Sequence, residues 1–149
     1  MLASVPSRRL AQQAAHHRVL IVEDEFLIAL DVGETVEAMG LQIAGFASGR
    51  SHALALAQTA DIALVDVNLS DGRTGPELGR ELAEIYGLTV IYMTANPEEV
   101  NQVQNGVLGV LTKPVMPHVV EQSIDYAVAR RTGGIASLPR ELHVFQRPH

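Results

Sequence analysis

The sequence predicts an α/β fold: a doubly wound, five-stranded parallel sheet flanked by five helices. Three short runs, 19–22, 62–65 and 90–93, are continuously apolar and rich in β-branched residues. Such runs suit strands buried on both faces beneath covering helices. The segments between strand candidates carry helical spacing, so strands and helices alternate along the chain. Strict alternation implies parallel strands joined by crossover connections.

Taken in order, residues 1–17 (MLASVPSRRLAQQAAHH) read as a flexible N-terminal extension. They contain arginines but no continuous apolar block behind them, unlike a signal peptide. The core domain is expected over 18–131. After the first strand, 25–39 places Phe26, Ile28, Ala29, Val32, Val36 and Met39 at helical spacing and stops at Gly40, a good residue beyond a helix C-terminus. A weaker strand follows at 41–46, then an Ala/Leu-rich helix at 51–58. The strand at 62–65 leads to a helix at 75–86, with Leu78, Leu82 and Ile85 in phase and Gly87 at its end. After the strand at 90–93, Pro97 opens a short helix at 98–105, rich in Asn and Gln and expected to pack loosely. A weaker fifth strand, 107–111, is interrupted by Gly109. Pro117 opens a last helix to about residue 131, whose apolar stripe includes Val119, Val120, Ile124 and Val128. Gly133 and Gly134 break the pattern, and 132–149 reads as a C-terminal tail.

Composition narrows the function classes. A chain of 149 residues, 47% apolar and 19% charged, fits one globular domain. Its net charge of −6 argues against direct nucleic-acid binding, which needs a cationic surface. The termini are locally basic (Arg8, Arg9 and Arg18; Arg130, Arg131, Arg140 and Arg147) and read as solvated. Without cysteine there is no disulfide or thiolate metal site. The apolar runs are too short for a membrane span, and a cytoplasmic protein is expected. The scattered histidines lack the paired spacing of a zinc site.

Ligands of a parallel α/β sheet bind beyond the carboxyl ends of its strands. There the chain places Glu23-Asp24-Glu25, Asp66, Thr94-Ala95-Asn96 and Thr112-Lys113-Pro114. Crowded carboxylates repel and resist desolvation, so they are tolerated where a cation or a proton offsets them. A hard divalent ion suits such oxygens. A carboxylate nucleophile, a lysine and a hydroxyl beside that ion are the parts that phosphoryl transfer needs. Other readings of Asp66 are weaker. A calcium loop would use Asp66, Asn68, Ser70 and Glu77, but its turn glycine falls on Asp71, with Gly72 one residue late. A magnesium-dependent phosphatase of the haloacid-dehalogenase type would want an acid where Asn68 stands.

VLIVEDE at 19–25, LVDVNLSDG at 64–72, MTAN at 93–96 and LTKP at 111–114 closely resemble the receiver domains of two-component response regulators. The resemblance covers roughly 18–130. Each motif is weak alone, but the ordered set on successive strand ends is specific. It implies a flavodoxin-like topology and a Mg2+ cofactor. It implies that Asp66 accepts a phosphoryl group from a histidine kinase or phosphotransfer protein. By the same resemblance Asp24, Asp66 and the Asn68 carbonyl hold the metal, with Glu23 acting through water. Thr94 is the switch hydroxyl, Lys113 pairs with the phosphoryl group, and Pro114 follows a cis peptide. Asn68 and Asn96 tune the phosphoryl lifetime. Val110 departs from the pattern, since receivers often carry an aromatic switch residue there. The resemblance further implies a stand-alone signalling protein that catalyses only its own phosphorylation and dephosphorylation. It would act on a protein target or as a phosphate sink. Its output face would combine the fourth helix, fifth strand and last helix, which is also a candidate homodimer face.

Overall fold

A computed structural model describes residues 17–69, 72, 74–100 and 106–145, apart from the Glu99 side chain. Among these residues the elements run β1 (Arg18–Val22), α1 (Phe26–Ala38), β2 (Gln42–Ala47), α2 (Arg50–Leu56), β3 (Ile62–Asp66), α3 (Gly75–Glu84), β4 (Thr89–Thr94), β5 (Val107–Thr112), α4 (Pro117–Thr132) and β6 (Leu142–Val144). Single 3-10 turns follow α2 at Ala57–Thr59 and β4 at Pro97–Glu99. The sheet order is β2-β1-β3-β4-β5-β6. All pairings are parallel except β5 with β6.

The central strands form because they have no polar face to show water. All five residues of β3 are buried, and β1, β3 and β4 present apolar side chains to both sides. One core layer joins Leu20, Val65 and Tyr92 to Ala53 of α2 and Leu78 and Leu82 of α3. The other joins Ile21, Leu64 and Ile91 to Val32 and Val36 of α1 and to Val120, Ile124 and Val128 of α4. Each helix buries one stripe: Ala29, Val32, Gly33 and Val36 in α1 recur at the three- and four-residue spacing of a single face. Burying a residue such as Leu or Ile contributes about 1.5–3 kcal/mol, so these two layers dominate the stability of the fold.

Three expectations need correction. The sheet has six strands, not five, because Leu142–Val144 turns back and pairs antiparallel with the free edge of β5. Leu142 and Phe145 are buried, so this part of the expected tail completes the core. The sixth strand was hidden by its brevity. The expected helix at 98–105 begins only as the 3-10 turn at Pro97–Glu99, and 101–105 lie outside the described residues. Four α-helices remain among the described residues. The basic C-terminal arginines are not all solvated either. Arg131 donates to Gly87 O and Thr89 Oγ1, both at 3.1 Å, and approaches Asp61. The N-terminal extension over 1–16, with Arg8 and Arg9, and Arg147 also lie outside the described residues. No helix among the described residues is long and apolar enough to cross a membrane.

Candidate functional site

The parallel sheet directs the ends of β1, β3, β4 and β5 to one edge, and the residues singled out there converge. Glu23 and Asp24 follow β1 directly. The Glu23 N–H donates to Ala47 O at the end of β2 (2.9 Å), and Glu23 Oε2 accepts the Glu25 N–H at 3.2 Å. These bonds hold the acidic turn rigidly against the neighbouring strand. Asp66 closes β3, and its Oδ1 accepts the Asn68 N–H at 3.1 Å. Gly75 lets α3 start close against this strand end: a Cβ there would strike Asp66 O and Val67 O. The sequence offered no functional sign for Gly75 beyond a glycine before a helix-opening proline.

Lys113 joins the carboxylates. Its Nζ lies 2.8 Å from Glu23 Oε1 and 3.1 Å from Asp66 Oδ2. The lysine backbone is fixed by its N–H to Thr94 O bond of 2.8 Å, and the Lys113–Pro114 peptide is cis. The direct contact of Lys113 with Glu23 is not readable from spacing. Glu23, Asp24 and Asp66 each offer an oxygen, and these atoms lie within 4.8 Å of one another. Glu23 and Asp66 are buried while Asp24 is exposed, so the cluster is open to solvent on the Asp24 side.

The electrostatics follow from this crowding. Burial pushes the Glu23 carboxyl up to about 7; the adjacent Asp66 adds to the rise and the Lys113 ammonium opposes it. For Lys113, burial works to lower its pKa, but the Glu23 and Asp66 charges outweigh burial and raise it. The pocket thus concentrates negative charge that one ammonium offsets incompletely. An all-oxygen donor set of this kind fits a hard divalent cation such as Mg2+.

The other predicted residues are placed as follows. Thr94 ends β4, fully buried, and its hydroxyl accepts the Asn96 N–H at 3.1 Å. Asn68 and Asn96 are exposed on the loops beyond β3 and β4. Val110 is buried within β5, opposite Tyr92 on β4 and His143 on β6. Beside the acidic turn, Phe26, Leu27 and Leu30 of α1 are exposed. Ser70 and Asp71 of the calcium-loop reading, the first a ligand position and the second the turn position, lie outside the described residues.

Comparison with known proteins places the chain in a family. The family model described as the response regulator receiver domain matches residues 19–125. The phyllosphere-induced regulator PhyR of Methylorubrum extorquens is 35% identical over 100 residues, which is 65% of this chain and 37% of that protein. The transcriptional regulatory protein PdtaR of Mycobacterium tuberculosis is 30% identical over 125 residues, covering 80% of this chain and 60% of its own length. The chain therefore spans less than two thirds of the length of these relatives. Among solved structures, the response regulator PhyR from Brucella abortus superposes with a TM-score of 0.73 at 31% identity, over 89% of this chain and 55% of that one. The receiver domain of PhyR from Erythrobacter litoralis gives 0.64 at 25% identity, over 84% and 95%. The haloacid-dehalogenase alternative gains no support from these matches. With residues 19–125 matched by the family model and a solved member superposing over most of its length, the chain belongs to the response regulator receiver domain family.

Proposed function

We propose that the chain is the phosphoryl-accepting element of a two-component relay, with Asp66 as the acceptor. The observation that carries this reading is the buried Asp66 carboxylate, held by the Asn68 N–H and the Lys113 ammonium at the open end of the sheet. A carboxylate oxygen of Asp66 attacks the phosphorus of a phosphohistidine on a partner kinase or phosphotransfer protein. The O–P bond forms as the N–P bond breaks, and the histidine imidazole leaves and takes up a proton. Asp24, Asp66 and the Asn68 carbonyl are the residues that would hold Mg2+, which when bound supplies positive charge to the transferring phosphoryl group. Lys113 offers an ammonium to a phosphoryl oxygen in place of its present carboxylate partners. Thr94 offers its hydroxyl to another, and the movement of β4 toward the site biases the chain between two surface states. Asn68 and Asn96, at the mouth of the site, set how readily water reaches the acyl phosphate. Exposed Phe26, Leu27 and Leu30 give a protein partner an apolar foothold next to the acceptor.

The phosphorylated chain acts by protein–protein interaction, either on a target or by draining a shared kinase. Labelling with acetyl phosphate and Mg2+, with mass analysis of the intact chain, tests the acceptor. One phosphoryl group is expected on the wild type and none on Asp66→Asn. Undiminished labelling of Asp66→Asn would reject the assignment. The lifetime of the label then separates the two roles, since an effector needs a long-lived phosphoryl group and a sink a short-lived one.

A further inference from the structure

In the described fold the free edge of β5 is filled by the chain's own β6, and the fit is specific. The Phe145 N–H donates to Leu108 O at 3.1 Å, and Leu111 and Gly109 stand opposite Leu142 and Val144. Gly109 is the residue that permits this approach: a Cβ there would collide with the His143 carbonyl and crowd Val144. Leu142 enters the core layer of α1 and α4, while Phe145 enters that of α2 and α3. This short strand therefore plugs the sheet edge on both faces.

The segment that carries the plug is held differently. Residues 133–141 leave α4 at Gly133, in left-handed conformation, followed by Gly134. They border a groove of about 860 Å³, lined among others by Met39, Gln122, Asp125, Ile135 and Leu138. Ile135 is 92% exposed and Leu138 49%. A tightly fitted plug on a connector that is tied at its ends by the Gly134 N–H to Ala129 O and Leu142 N–H to Pro139 O bonds, and largely exposed between them, is an arrangement in which a second chain can supply the plug. Extended, the connector reaches about 30 Å, enough to cross to an adjacent copy.

We propose that two copies of this chain associate by exchanging Leu142–Val144, so that β6 of each pairs with β5 of the other. Every β5–β6 bond and both buried anchors are remade in the exchanged pair. Ile135, exposed in the single chain, and Leu138, half exposed, lie where the two connectors cross and become covered. The proposal does not depend on phosphoryl chemistry at Asp66.

Because the chain has no cysteine, the double variant Leu111→Cys/Leu142→Cys reports which chain supplies β6. The two positions are register partners. The protein is incubated at increasing concentration, oxidised, and separated without reductant. Disulfide-linked dimer is expected to rise about tenfold between micromolar and near-millimolar protein, as mass action requires. Closure within single chains at every concentration would overturn the proposal, even if light scattering shows a dimer by another route. Should the double variant not fold, the wild type serves. Nuclear Overhauser contacts between labelled β5 and unlabelled β6 in a mixed sample support exchange, and their absence in a concentrated sample refutes it.

Discussion

The Lys113 ammonium lies 2.8 Å from the Glu23 carboxylate, a side chain with no solvent exposure, across 90 residues of sequence. The same ammonium is 3.1 Å from Asp66, so one cation serves two buried carboxyl groups. Removing it leaves both without their counter-charge. Lys113→Met is expected to lower the unfolding free energy in metal-free buffer by about 2 kcal/mol, less than a fully buried pair would lose because the lysine keeps some exposure. The loss should grow as pH rises above about 7, where the Glu23 carboxyl ionises, and adding Glu23→Gln should recover part of it there, since one buried charge disappears. Urea denaturation of the two single variants and the double variant measures the coupling. Strictly additive effects would mean that the ion pair contributes nothing net.

Thr94 presents a hydroxyl in a fully buried position, where it accepts one backbone N–H from Asn96. Thr94→Ala leaves that donor unsatisfied and is expected to cost about 1 kcal/mol. Phosphoryl uptake at Asp66 should persist, because Lys113 and the acidic turn are untouched. The backbone response of β4 and β5 to uptake, read as amide shifts in nuclear magnetic resonance, should shrink severalfold, with Thr94→Ser restoring it. A full response in the alanine variant would remove Thr94 from the switch.

Legibility in the sequence followed burial. The strands β1, β3 and β4 are enclosed on both faces, so residues 19–22, 62–65 and 90–93 show as unbroken apolar runs and lie within the observed strands. The edge strand β2 is only half-buried, and its pattern is correspondingly faint. Gly109 weakened the reading of β5 for a reason that lies outside β5, namely the backbone of His143. That partner strand is only Leu142–Val144, too short to set up a period, and it depends on an edge about thirty residues upstream. At the site, the strand-end rule brought Asp24, Asp66, Thr94 and Lys113 to one edge. The pairing of Lys113 with Glu23 needed coordinates, because residue spacing carries no information on how a long side chain chooses between adjacent acids.

Gly109 should tolerate no side chain. Gly109→Ala places a methyl group against the His143 carbonyl, and backbone cannot move aside as a flexible side chain can. A loss of about 1–3 kcal/mol is expected, with faster hydrogen exchange at the Phe145 amide, whose bond to Leu108 O marks the seated strand. Gly45→Ala is a useful contrast, since its new methyl would meet only the end of the Leu56 side chain. Equal losses in the two variants would separate Gly109 from the seating of β6.

The absence of an aromatic residue at Val110 has a steric basis on the neighbouring strand. Tyr92 stands opposite Val110 on the same core layer, fully buried. Its ring lies under α3, where Gly79 leaves it room, and its hydroxyl donates to Pro76 O at 2.8 Å. Burial pushes that hydroxyl above the ordinary phenol range, so it remains a donor throughout the neutral range. A second large ring at 110 would have to share this core layer with the Tyr92 ring beside it. Val110→Phe is therefore expected to destabilise by about 1–3 kcal/mol through overpacking. Combining it with Tyr92→Leu should cost less than the sum of the two single changes, by about 1 kcal/mol or more, since each relieves the volume error of the other. Thermal or urea unfolding of the four species gives the coupling. If the losses simply add, Tyr92 is not what keeps position 110 small.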